Sequence, residues 1–229
     1  MTTKQDRIGT LAPRRSIRDT VTSTLRGAII AGEMAPGEVY SAPTLAAQFG
    51  VSATPVRESM VDLAKEGLVE SVRNKGFRVT QPTARELDEI AKIRLLLEPP
   101  SIRDITPLVP ETDFPMLRSM AQAIVDAATE GDLVGYLDAD RTFHLKLLSY
   151  TGNGELSSLI SDLRNRTRLF GLKGLSDTGD LVESAEEHHQ ILDAVESRDS
   201  SRAEAEMVDH INHVRGKWAD SSERVTVDS

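Results

Sequence analysis

The chain has 229 residues, 39% of them apolar and 4% aromatic, with 27 Lys+Arg against 36 Asp+Glu and no cysteine. That length suits one large domain or two small ones with real cores, and the missing cysteine excludes disulfide scaffolds, thiolate zinc sites and cysteine nucleophiles. The longest apolar run, Ala28–Ala31, is too short for a membrane span or a signal-peptide core, and the few aromatics argue against a stacking platform for single strands of nucleic acid. A soluble chain in a reducing cytoplasm is expected.

The charge is unevenly spread. Residues 1–82 hold 11 Lys+Arg and 8 Asp+Glu, the remainder holds 16 and 28, and all five histidines (144, 188, 189, 210 and 213) lie in the acidic part. A basic segment joined to an acidic one predicts two domains with different partners.

Residues 1–16 read as a mobile basic arm carrying Lys4, Arg7, Arg14 and Arg15. Helical spacing of Val21, Leu25, Ala28 and Ile29 predicts a first helix ended by Gly32, followed by a Pro36-Gly37 turn. Leu45, Ala46 and Phe49 predict a short second helix that stops at Gly50. Thr54-Pro55 reads as an N-cap with proline at the first position of a third helix, whose stripe is Val56, Met60, Leu63 and Ala64. Two extended runs, Val69–Val72 and Phe77–Thr80, flank Arg73-Asn74-Lys75-Gly76 and predict a hairpin wing. Three helices and a wing make a winged helix-turn-helix over residues 17–82, and the expected partner is double-stranded DNA. The third helix would enter a major groove, with Ser52 and Thr54 donating to phosphates or bases and Arg57 reaching a guanine edge. The basic wing tip at Lys75 and Gly76 would touch the flanking minor groove or backbone.

Leu25–Val79 resembles the DNA-binding domain of the GntR family of bacterial transcription regulators. The matching residues are Leu25–Ile29, Gly32 with Pro36-Gly37, Leu45-Ala46, Gly50-Val51-Ser52, Thr54–Glu58, Leu63, Glu66–Val69, and Asn74 with Gly76-Phe77. The resemblance implies operator contacts from Ser52, Thr54 and Arg57. Ala53 departs from the family, which very often has arginine there, and so removes one DNA contact.

Beyond Pro82-Thr83 helical periodicity dominates, and an all-α bundle of about six helices is expected over residues 83–220, with a disordered tail over 221–229. Pro99-Pro100 is expected to break or kink the first of these helices; the others are predicted at about 112–130, 132–150, 155–170, 180–197 and 200–218. Asp140 and His144, four apart, share a face with Leu133, Leu137 and Leu147; His188 lies on the stripe of Ile191, Leu192 and Val195; His210 lies with Ala203, Met207 and Val214. Three inward histidines and an aspartate on three helices need a shared partner, and a divalent cation satisfies all four. The donor set suits zinc first, with nickel, manganese or iron(II) as alternatives. A hydrogen-bonded polar core without metal is the competing reading, and His189 remains an alternative to His188.

The second domain resembles the all-helical effector (FCD) domain of the FadR-type GntR subgroup, on Arg94 with Glu98, Asp140 with Phe143-His144, Gly152-Asn153, His188 with Ile191-Leu192 and Ala194, and Met207 with His210. The resemblance implies metal ligation by Asp140, His144, His188 and His210, a small organic acid as effector, and Arg94 facing the effector cavity. Glu98-Pro99-Pro100 departs from the subgroup's alanine-rich continuation. The expected whole is a homodimeric, ligand-responsive regulator, a repressor, on a palindromic operator. Its rivals are a metal-dependent enzyme built on the Asp/His site, or a regulator without metal that binds an apolar effector.

Overall fold

The computed structural model describes residues 16–167, 176 and 179–225, with side chains over 16–166, at 176 and over 179–213. The expected arm over residues 1–16 lies outside the described residues except for Ser16.

Ser16 opens α1 (Ile17–Ile30) through a capping box with Asp19, so two amides left over at the helix start find side-chain acceptors. The helix buries Val21, Leu25, Ile29 and Ile30, and Gly32 follows it with φ 75°. After β1 (Val39–Tyr40), Ser41 caps α2 (Ala42–Phe49), which ends on Gly50 in the left-handed region. Next comes α3 (Ala53–Lys65), which buries Val56, Ser59, Met60 and Leu63. Its N-cap is Ser52, two residues before the expected Thr54, and Thr54 and Pro55 lie inside the first turn. A proline is tolerated there because the amides of the first turn have no carbonyl to reach.

The wing is also larger than expected. Strands β2 (Val69–Val72) and β3 (Gly76–Val79) form the hairpin, and β1 adds to the other edge of β3, giving the antiparallel order β1-β3-β2. A two-residue strand carries no periodicity to read. Its packing explains Gly76: with φ 131°, a Cβ there would stand 2.3 Å from the Tyr40 carbonyl oxygen. A core of Leu25, Val56, Met60, Leu63, Leu68, Phe77 and Val79 joins helices and sheet into the winged domain.

Thr83 and Glu86 form a second capping box that starts α4 (Ala84–Ile105). Of the break or kink expected at Pro99-Pro100, the break does not occur, and α4 runs through both prolines. The helix buries Leu87, Ile90, Ala91, Arg94, Glu98, Pro99, Ile102 and Ile105 at three- and four-residue spacing, and this packing holds it across the missing amides. A 3-10 turn at Glu111–Asp113 leads into α5 (Phe114–Glu130), α6 (Leu133–Ser149), α7 (Gly154–Thr167), α8 (Asp180–Glu196) and α9 (Ser200–Val225). Helix α9 thus reaches Val225, past the expected start of the tail, and residues 226–229 lie outside the described residues. The bundle core is built on Ile102, Ile105, Leu117, Ile124, Phe143, Leu147, Ile191, Leu192 and Met207, and Ile30 of α1 joins it. Helix α1 therefore belongs to both domains: its Gly27 lies 3.7 Å, measured from the position of a Cβ, from Val134 on α6.

Candidate functional site

On the winged domain, the face of α3 turned from the core carries exposed Ser52, Thr54, Arg57, Val61 and Lys65. Arg57, Val61, Ala64 and Lys65 line a groove whose other wall is the wing, at Ser71 and Phe77. The wing tip exposes Arg73, Asn74 and Lys75, with Asn74 at φ 59°. Arg18 and Arg26 of α1 pair with Asp62 and Glu66, which neutralises the acidic groups beside this face. Of the side chains expected to meet DNA, Arg57 thus lies in a groove between α3 and the wing, and Ser52, Thr54 and Lys75 are exposed.

In the helical domain, Asp140 and His144 project from α6, His188 from α8 and His210 from α9, and all four are buried. One ligand atom from each lies within 4.8 Å of all the others. The Nε2 atoms of His144 and His188 are 3.1 Å apart, and Asp140 Oδ1 lies 3.0 Å from His188 Nε2 and 3.5 Å from His144 Nε2. Bonds of about 2.1 Å place neighbouring ligand atoms roughly 3.0 Å apart in an octahedron and roughly 3.4 Å apart in a tetrahedron. The spacing fits one cation.

The outer hydrogen bonds set which ring nitrogens face the cluster. His188 Nδ1 donates to the Ala185 carbonyl at 2.8 Å, because a carbonyl only accepts. The other nitrogen of a neutral ring then carries a lone pair, and His188 Nε2 points that lone pair at a carboxylate and at a second imidazole nitrogen. Two lone pairs at such distances repel unless a cation or proton lies between them. His210 is set in the same way: its Nδ1 donates to Glu187 Oε2 at 2.7 Å, which turns Nε2 toward the other three residues. His144 is held neutral, its pKa well below the usual histidine value, by burial and by the charge of Arg164. Neutral imidazoles and an ionised carboxylate are the forms a metal takes. His189, the alternative, is only half-buried, and His213 is exposed.

Sequence reasoning named Arg94 and Glu98 but missed Arg164, which joins them behind this cluster. Arg164 of α7 is fully buried; it donates through Nε to Glu98 Oε2 at 2.9 Å, pairs again through Nη2, and lies 3.4 Å from Asp140 Oδ2 through Nη1. Arg94 donates through Nε to Glu98 Oε1 at 2.6 Å and is itself buried. Burial alone would raise the Glu98 carboxyl, but the Arg164 and Arg94 guanidiniums hold it well below the usual carboxylate range. Burial pulls Arg164 down to about 10, against the opposing charge of Glu98, so it stays a cation at neutral pH. The signal that singled out the histidines was present here too. Arg164 follows buried Ile160 by four residues, and Glu98 lies in register with Ala91, Arg94, Ile102 and Ile105.

A winged helix with an outward basic groove, joined to a helical bundle that holds a buried Asp/His cluster, is the architecture of a two-domain DNA-binding regulator. The chain belongs to the gntR family of bacterial regulatory proteins: residues 17–79 match the family's DNA-binding model and residues 89–213 match the FCD domain. It is 32% identical, over 86% of this chain and 88% of the relative, to a protein of Paenarthrobacter nicotinovorans named "Probable D-xylose utilization operon transcriptional repressor". It is 28% identical, over 82% of this chain and 85% of the relative, to the HTH-type transcriptional regulator YdhC of Bacillus subtilis (strain 168). The solved structure of E. coli McbR/YncC shares the fold with a TM-score of 0.71 at 24% identity, covering 90% of this chain and 99% of that one. These relatives are regulators, which sets aside the enzyme reading. Among the described residues no helix is long and apolar enough to cross a membrane.

Proposed function

We propose that this protein is a metal-loaded transcriptional repressor that acts as a homodimer on a palindromic operator in the cytoplasm and responds to a small organic acid. The observation that carries the metal reading is the convergence of one ligand atom from each of four buried residues, with Asp140 Oδ1 3.0 Å from His188 Nε2 and the Nε2 atoms of His144 and His188 3.1 Å apart. Asp140, His144, His188 and His210 would hold the ion, zinc first and nickel, manganese or iron(II) as alternatives. A cation held there ties α6, α8 and α9 together and offers open positions to a ligand carboxylate. Arg94 is the second contact for that acid. Among the described residues it makes one hydrogen bond, through Nε to Glu98, leaving the outer edge of its guanidinium to pair an anion.

On the winged domain, Ser52, Thr54 and Arg57 read the operator, while Lys75 and the backbone at Gly76 meet the flanking DNA. A two-fold dimer presents two such helices to the two half-sites. Helix α6 links the domains. Asp140 and His144 lie on its inner face, whereas Asp138 and Arg141 line a cleft shared with Arg26, Glu66 and Leu68 of the winged domain. Movement of α6 on effector binding reaches the winged domain through that cleft, and the coupling is reciprocal.

Fluorescence anisotropy with DNA fragments that the full-length protein selects from its source genome tests this reading. Sequence-specific binding that small organic acids weaken, and that chelation of the metal alters, is expected. Binding without sequence preference, or release by apolar compounds and not by acids, contradicts it.

A further inference from the structure

The four residues of the buried cluster are each at most 1% exposed, so a cation needs a way in. One chain of contacting side chains, each of a type that can ligate metal, runs from the cluster to the surface. His210 Nδ1 donates to Glu187 Oε2 at 2.7 Å, and His213 Nδ1 lies 2.7 Å from the other oxygen of the same carboxylate, Oε1. Side-chain exposure rises along this chain from 1% at His210 to 12% at Glu187 and 60% at His213. His210 and His213 stand three residues apart on α9, on adjacent positions of one helical surface, and Glu187 reaches them from α8. The outermost nitrogen therefore lies two side chains from the cluster, and every group between is a metal ligand by chemistry. Asp209, one turn before His213, and Glu183, one turn before Glu187, add negative charge by helical spacing and favour the approach of a divalent cation.

We propose that His213 and Glu187 form a loading path for a divalent cation. The ion is first bound at the surface by His213 and Glu187 and is then passed by way of Glu187 to His210 and the other three ligands. Glu187 has a second role. Its carboxylate fixes the proton on His210 Nδ1, which presents Nε2 as a lone pair and raises its basicity. His213 serves only passage, whereas Glu187 serves passage and final affinity. The proposal rests on the buried metal site proposed above.

The two roles separate in one experiment. Metal-stripped full-length protein is mixed with Co(II) in a stopped-flow instrument, uptake is followed by the visible absorbance of bound cobalt, and equilibrium affinity is measured by competition with a chelator. His213→Ala, an exposed position whose truncation spares the core, should slow uptake and release together by the same factor, through loss of the first ligand, and leave Kd unchanged. Glu187→Gln should slow uptake and also weaken Kd by about 10–100-fold, as loss of an outer carboxylate does at metal-bound histidines. His189→Ala, off the path, should load as wild type does. Wild-type uptake rates in His213→Ala, or equal slowing in His189→Ala, overturn the path while leaving the buried site standing. A wild type that binds no cobalt overturns the site and the path together.

Discussion

Replacing Glu98 by glutamine tests how the interior of the helical domain is held together. In the wild type one buried carboxylate bridges two buried guanidiniums, Arg94 at 2.6 Å and Arg164 at 2.9 Å. The amide keeps the shape and one acceptor oxygen but removes the charge that pairs two arginines in a low-dielectric interior. Breaking a buried ion pair from one side costs about 3–5 kcal/mol, because the remaining charge is uncompensated. For a chain of this size that corresponds to a fall in melting temperature of about 6–20 °C. The sign with pH follows from the depressed carboxyl of Glu98. A carboxylate whose folded pKa lies below its unfolded value stabilises fully above the unfolded value, about 4.3, and loses that contribution as the pH falls toward the folded one. The gap between wild type and Glu98→Gln should therefore be full at pH 7 and begin to close below about pH 4.3. Circular-dichroism melts of metal-stripped protein measure both effects. Adding Arg164→Met to the variant should cost less than the sum of the two single changes, because the pair shares one interaction. Melting of Glu98→Gln within about 2 °C of wild type at pH 7, less than the shift for 1 kcal/mol, would refute the reasoning.

Three other outcomes are expected. Arg57→Ala should lower operator affinity by about 5- to 150-fold, the value of one bidentate base contact, with helical content by circular dichroism unchanged; unaltered affinity removes Arg57 from the interface. Gly76→Ala should destabilise the winged domain by about 1–3 kcal/mol, since φ is 131° and the added methyl meets the Tyr40 carbonyl at 2.3 Å; a denaturant midpoint equal to wild type contradicts that packing. Removing metal with a chelator should lower the melting temperature, and adding zinc at about 100 times Kd should restore roughly 2.7 kcal/mol. Asp140→Ala should respond to neither treatment.

Much of this site was legible because helical phase turns spacing into direction. Asp140, His144, His188 and His210 each share a face with apolar residues, and the structure buries all four. The same rule applied to Glu98 and Arg164 would have exposed them, but a charged side chain on a helix reads as solvated unless its partner is known. Those two partners are 66 residues apart and meet only through packing of α4 on α7. Glu187 was hidden for a different reason: next to His188 in sequence, it points to α9 and holds His210. Local rules failed where tertiary contacts override them. Pro99 and Pro100 remain inside α4 because Glu98, Pro99 and Ile102 are buried around them, and β1 exists because β3 offers an edge. The third helix and wing were readable because turn residues and the apolar stripe agree on both.

The most direct test of the account is elemental analysis of untagged protein purified without chelators, beside the Asp140→Ala/His188→Ala double variant. Four converging ligands predict about one divalent metal per wild-type chain and none in the variant. Metal-free wild-type protein, or equal metal in both, would contradict the coordination centre and leave the Asp/His cluster as a hydrogen-bonded core.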